Sequence, residues 1–135
     1  MIDQDHFLTW LSRLKVAVEK PDAEDFVALF SDDVTFYDAP FQAPRRGRLA
    51  LQMAIEEMGR NRSGSTFKTE FIRTDEDAGW AMWANSFTRA GTDDPVRLEG
   101  ILKASFDEDG LCREFRQWWH KLEPGQDDLM RDFDA

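Results

Sequence analysis

The order of hydrophobic periods predicts an α+β domain in which N-terminal helices cover one face of a curved antiparallel sheet, with an apolar pocket between the two layers. Up to about residue 60 the apolar residues recur at three- and four-residue steps, as on one face of a helix. Beyond Ser63 they alternate with polar ones, as along half-buried strands. A length of 135 residues suits one domain with one core, and no repeat or low-complexity linker divides the chain. Residues 1–125 read as that domain and 126–135 as an acidic tail.

The first helix is expected over residues 5–19, where Phe7, Leu8, Trp10, Leu11, Leu14, Val16 and Val18 form the apolar stripe and Pro21 ends it. A second opens at Asp22 with Glu24 and Asp25 at the dipole-favoured end and Phe26, Val27, Leu29 and Phe30 inward. Residues 34–38 are rich in β-branched and aromatic side chains and read as a short strand. Pro40 and Pro44 then force an irregular crossing. Gly47 starts a third helix through Leu49, Leu51, Met53, Ile55 and Met58, stopping at Gly59. The segments 66–74, 80–90, 96–106 and 111–122, separated by Asp-, Gly- and Pro-containing turns, read as a four-stranded meander.

Alternation assigns Phe67, Thr69, Phe71, Ala81, Trp83, Asn85, Phe87, Leu98, Gly100, Leu102, Ala104, Phe106, Phe115, Gln117 and Trp119 to the face toward the helices, with a bulge in the last strand able to shift its set by one. The other face carries Trp80, Met82, Ile101 and Trp118 among charged residues. Four large apolar groups on a nominally wet face predict a partner surface, most simply a homodimer pairing sheet to sheet.

Seventeen Lys and Arg against 27 Asp and Glu give a formal charge of −10, which repels phosphate backbones and anionic lipid. Nucleic acid and membrane surfaces are therefore not expected partners. Arg45, Arg46 and Arg48 beside Gly47 read as a solvated loop and helix start. The single Cys112 forms no internal disulfide, the N-terminus lacks the pattern of a secretory signal, and no apolar run reaches the ~18 residues of a membrane span. A cytoplasmic location is the expectation.

Three polar groups stand out on the apolar inner face: Asp38, Asn85 and Gln117. A carboxylate in a desolvated pocket has its pKa raised and becomes a competent general base, while an amide can donate to a developing oxyanion. Asp38 could equally cap the crossing by accepting backbone N–H bonds, and Asn85 and Gln117 could be buried hydrogen-bond linkers. The expected pocket combines Asp38 as catalytic base with Trp10, Leu14, Phe36, Trp83, Asn85, Leu102, Gln117 and Trp119 as ligand-binding residues. His120 reads as a rim histidine. His6 is remote from it, and no His or Cys spacing suggests a metal, no Gly-rich loop a phosphate, and no motif a cofactor.

The string from Pro21 to Phe36, then Asp38 to Pro44 with Gly47, and last Asp109 to Trp119, resembles the NTF2-like superfamily over about residues 5–123. The SnoaL-like and steroid-isomerase-like branches are the most similar, and the last string with residues 98–101 and His120 is similar to a set of bacterial NTF2-like proteins. The resemblance implies a cone-shaped, cystatin-like fold and leaves the activity open. Steroid isomerases place an aspartate base where Asp38 falls, but their oxyanion-hole tyrosine and protonated aspartate correspond to Leu14 and Leu102. An enolate would be poorly stabilised unless Asn85 or Gln117 supplies the donor. SnoaL-like cyclases imply an acid/base aspartate in a large aromatic cavity. The Asp-Arg-Asp set of the superfamily's epoxide hydrolases has no counterpart on the assigned inner face.

Two functions follow as expectations. One is a pocket for a small, mostly apolar, ring-containing molecule, with isomerase, cyclase or hydrolase chemistry at Asp38. The other is a non-catalytic homodimeric interaction module using the outer sheet face. Because no Lys or Arg falls on the assigned inner strand positions, a charged ligand is expected to fit poorly.

Overall fold

The computed structural model describes residues 2–20 and 22–122; the expected break at Pro21 and the acidic tail lie outside them. Helix α1 (Gln4–Glu19) starts where the Asp3 carboxylate accepts the His6 N–H at 2.8 Å. Its buried stripe is Phe7, Trp10, Leu11, Leu14, Ala17 and Val18. Leu8 and Val16, expected inside, are exposed because their helical positions lie off that arc. Helix α2 (Ala23–Val27) is capped by Asp22, which accepts from the Glu24 and Asp25 N–H groups. Phe30, expected on that helix, is instead the first residue of strand β1 (Phe30–Tyr37).

The chain then folds back through β2 (Arg45–Arg46), antiparallel to β1, into α3 (Arg48–Asn61). Gly47 takes φ +85° at this junction, a value that favours glycine. Helix α3 runs through Gly59 rather than stopping there, burying Leu51 and Ile55 while Leu49 and Met53 face outward.

Strands β3 (Arg62–Asp75), β4 (Ala78–Arg89), β5 (Pro95–Phe106) and β6 (Cys112–Leu122) form the predicted meander. The full sheet order is β2-β1-β6-β5-β4-β3. One expectation needs correction: β1 pairs with β6 in parallel, Tyr37 opposite Arg116, so the sheet is mixed and not antiparallel throughout. Alternation identifies a strand but not its neighbour, and the short β2 carries too few residues to show any period.

Cross-strand neighbours share a face. Trp83 stands opposite Gly100 and Gly100 opposite Trp119; Ala81 opposite Leu102 and Leu102 opposite Gln117. The irregularity in β6 falls before Phe115, so the predicted inner set holds from there on. Gly100 has a specific duty. A Cβ at this position would run into the Trp118 carbonyl oxygen, so its absence lets β5 and β6 approach closely.

Half of the space between the layers is solid. The Phe7 ring sits directly on Gly79, where an added Cβ would come within 2.5 Å of it. Trp10 meets Phe106 edge-on at 5.3 Å and donates its indole N–H to the Leu29 carbonyl at 3.0 Å. The other half, toward the C-terminal end of α1, is hollow.

Candidate functional site

A cavity of about 640 Å³ opens between α1, α3 and the inner sheet face. Its apolar walls include Leu14, Val18, Phe36, Trp83, Leu102 and Trp119, and its polar residues include Asp38, Asn85 and Gln117. Eight of the nine side chains expected around a pocket therefore meet on one hollow. Trp10 does not. It packs among Phe7, Phe30 and Phe106 in the solid half, one helical turn before Leu14.

Asp38 follows directly after β1, and the parallel pairing with β6 sets it beside Gln117 and Trp119. The Gln117 amide donates to its carboxylate at 2.7 Å, and the Trp119 indole donates to its backbone carbonyl at 2.7 Å. Among the described residues no backbone N–H donates to the carboxylate, as capping of the crossing would require. Gln117 thus orients an acid that borders an apolar hollow.

Asn85 has its amide occupied within the protein. Its N–H groups reach Ser65 Oγ at 2.8 Å and the Thr66 carbonyl at 2.7 Å, and its oxygen accepts from Arg62 Nη1 at 3.0 Å. The Arg62 guanidinium lies over the Phe87 ring, 4.0 Å from its centroid. Burial pushes the Arg62 pKa down, and the nearby Asp38 carboxylate offsets part of that shift. The Trp83 indole N–H is buried with no acceptor among the described residues.

The expectation of an inner face without cations is corrected here. Among the described residues Arg45, Arg62, Arg89 and Lys121 all border the cavity, together with the carboxylates of Asp38 and Glu57. Arg89 and Lys121 continue the Asn85–Phe87 and Gln117–Trp119 alternations by one more step, beyond where the assignment stopped. Arg62 is less obvious. Counted back from Phe67 it should point outward, but the register slips between Ser63 and Thr66 around Gly64, at φ +61°, and brings Arg62 opposite Arg89. The Ser63-Gly64-Ser65 string was the available signal for that bulge.

Cys112 is not part of the site. It is fully buried, its thiol is pushed well up by desolvation, and it donates to the Glu114 carbonyl at 3.3 Å. No cluster of His, Cys, Asp and Glu suited to a metal occurs among the described residues. Nor is any described helix long and apolar enough to cross a membrane.

The family model for a SnoaL-like domain matches residues 12–115, from within α1 to the start of β6. The chain belongs to the SnoaL-like family. No curated protein matches it by sequence. Among solved structures, RV0760c from Mycobacterium tuberculosis superposes with a TM-score of 0.78 at 16% identity, covering 91% of this chain and 99% of that one. The epoxide hydrolase/cyclase-like enzyme SalBIII, from pyran ring formation in polyether salinomycin, gives 0.78 at 16% identity, with 89% and 95% covered. A Δ5-3-ketosteroid isomerase from Mycobacterium sp. gives 0.73 at 19%, with 87% and 98% covered. At these identities the likeness establishes the NTF2-like cone. Within this SnoaL-like chain, Leu14 and Leu102 are both buried apolar side chains bordering the cavity, so neither position supplies a hydrogen bond to an oxyanion.

Proposed function

We propose that the cavity binds a small ring-containing molecule and that Asp38 acts on it as a general base, in an isomerase-, cyclase- or hydrolase-type reaction. The observation that carries this reading is the Asp38 carboxylate, held by Gln117 at the wall of an apolar hollow of about 640 Å³. Such a volume suits a drug-sized ligand, and flat aromatic walls from Trp83 and Trp119 favour rings. A hydrogen bond from a fixed amide leaves the carboxylate's other oxygen to take a proton from a bound hydroxyl, water or acidic C–H.

Leu14 and Leu102 weigh against the isomerase type. Proton abstraction next to a carbonyl places full charge on an enolate oxygen, and those positions offer it no donor. Activating a hydroxyl or water for attack, as in ring closure or hydrolysis, asks less of the site and is the preferred reading. A screen of apolar ketones, lactones and epoxides against the wild type and Asp38→Asn tests it. Turnover is expected with lactones or epoxides and should fall by about 10²–10⁴-fold in Asp38→Asn. Equal turnover by the two proteins would remove Asp38 as the base.

A second reading rests on the outer sheet face, where Trp80 stacks on Trp118 with ring centroids 6.3 Å apart and Met82, Ile101 and Trp118 are 49%, 39% and 41% exposed. A patch of this kind supports a homodimer, and an interaction module would need nothing more. Light scattering is expected to report a dimer at micromolar concentration and a folded monomer for Trp118→Glu. A monomeric wild type would dispose of this reading.

A further inference from the structure

We infer that the ligand of this cavity carries an anionic group, of the carboxylate or sulfonate class, that pairs with Arg62. The inference rests on the reading of the cavity as a ligand site, and it adds what that reading lacks, a charge and an orientation for the bound molecule.

Arg62 is a partly buried guanidinium with no carboxylate at ion-pair distance among the described residues. The ion pairs the structure does contain, such as Arg48 with Asp32 and Arg113 with Asp77, involve substantially exposed side chains. Taking a cation out of water is costly unless a counter-charge and hydrogen bonds replace the solvent. Among the described residues the carboxylate whose charge reaches Arg62 is Asp38, but its own partner is the Gln117 amide. A structural linker to Asn85 would need only one donor, which a neutral glutamine could supply without the desolvation of a charge.

The guanidinium is also pre-oriented. Asn85 fixes Nη1 at 3.0 Å, Asn85 itself is anchored by Ser65 and Thr66, and Phe87 supports the guanidinium plane from one side. The remaining N–H groups have no partner among the described residues. A planar fork held in this way is suited to donating two parallel hydrogen bonds to an oxyanion.

Charge distribution points the same way. The chain is net −10, yet the cavity is bordered by Arg62, a cation without an ion-pair partner among the described residues. A cation so placed favours an anion in the cavity over the acidic remainder of the surface. Asp38 comes from the β1 side of the curved sheet and Arg62 from the β3 side. A ligand anchored at Arg62 would lay its ring across Trp83 and Leu102 and bring its reacting part to Asp38.

A matched pair of dyes tests this: 8-anilinonaphthalene-1-sulfonate and N-phenyl-1-naphthylamine, which share a ring system and differ by the sulfonate. Fluorescence titrations would be run on the wild type, Arg62→Gln, Arg62→Lys and Leu14→Trp, the last narrowing the cavity. Arg62→Gln is expected to weaken the sulfonate by about tenfold or more, the scale of a lost charge-assisted hydrogen bond, and to leave the neutral dye within about twofold. Arg62→Lys should retain an intermediate affinity for the sulfonate, and Leu14→Trp should weaken both dyes. If Arg62→Gln does not fold, Arg62→Lys decides: at least a threefold loss specific to the sulfonate supports the inference, and none overturns it.

Equal effects of Arg62→Gln on both dyes, with both still excluded by Leu14→Trp, would overturn the anionic anchor and leave the ligand site standing. Sulfonate binding that survives Leu14→Trp unchanged would place the dye elsewhere and overturn the inference. A wild type that binds neither dye would overturn the cavity reading and this inference together.

Discussion

The two ends of the helix–sheet interface use the same kinds of residue to opposite effect. At one end α1 presses Phe7 onto Gly79 and sets Trp10 against Phe106, and the missing Cβ of Gly79 lets the ring close the gap. One turn further along the same helix, Leu14 and Val18 meet no such partner and the layers part to leave the cavity. At this open end Gly100, opposite Trp83 and Trp119, allows β5 and β6 to approach tightly. Aromatic content alone does not make a pocket; the backbone's distance from the helix decides whether a ring fills space or walls it.

The two glycines offer the sharpest way to break this contrast. Gly100→Ala meets a backbone carbonyl that has no rotamer to escape into, so its cost should exceed the ~1–3 kcal/mol of ordinary overpacking. Gly79→Ala meets the Phe7 ring, which can shift within its cluster, and should stay inside that range. Urea unfolding of both variants would measure the difference. Equal costs would mean that the β5–β6 approach at Gly100 yields as readily as the Phe7 ring does at Gly79.

A smaller effect is expected with pH, at the link that holds α1 to the open end. The Glu19 carboxylate accepts from Lys15 at 2.6 Å and from the Phe67 N–H at 2.9 Å, and these two donors hold its pKa below the usual carboxylate value. Because the folded pKa is depressed, the stabilisation is present above the unfolded value near 4.5 and is lost as pH falls through the folded one. Glu19→Gln should flatten part of the decline in stability below about pH 4.5, by a small amount given solvent screening. An unchanged acid limb in urea midpoints between pH 7 and pH 3 would argue that this tie contributes nothing.

Much of this arrangement was legible in the sequence, and the gaps have identifiable causes. The switch from helical to alternating period marked the layers, and alternation placed Trp83, Asn85, Leu102, Gln117 and Trp119 on one face because a strand's side chains cannot choose otherwise. Trp10 and Leu14 share a helical stripe, but nothing in that period says where the sheet stays close and where it bends away. The contact of Asp38 with Gln117 depends on a parallel pairing between segments some eighty residues apart, for which local patterns carry no signal. Arg62 was missed for a different reason, because one bulge at Ser63–Ser65 reverses the face of every residue before it.

Tryptophan emission during titration with neutral ring compounds, on the wild type and the cavity-narrowing Leu14→Trp variant, tests the central claim most directly. A hollow that serves as a ligand site predicts saturable quenching or a spectral shift at one site per chain, from contact with Trp83 or Trp119. It also predicts loss of that response in Leu14→Trp, with the far-ultraviolet circular dichroism unchanged. A response of the same affinity in both proteins would contradict the account, since binding would then lie outside the cavity, with Trp80 and Trp118 on the outer face as its nearest reporters.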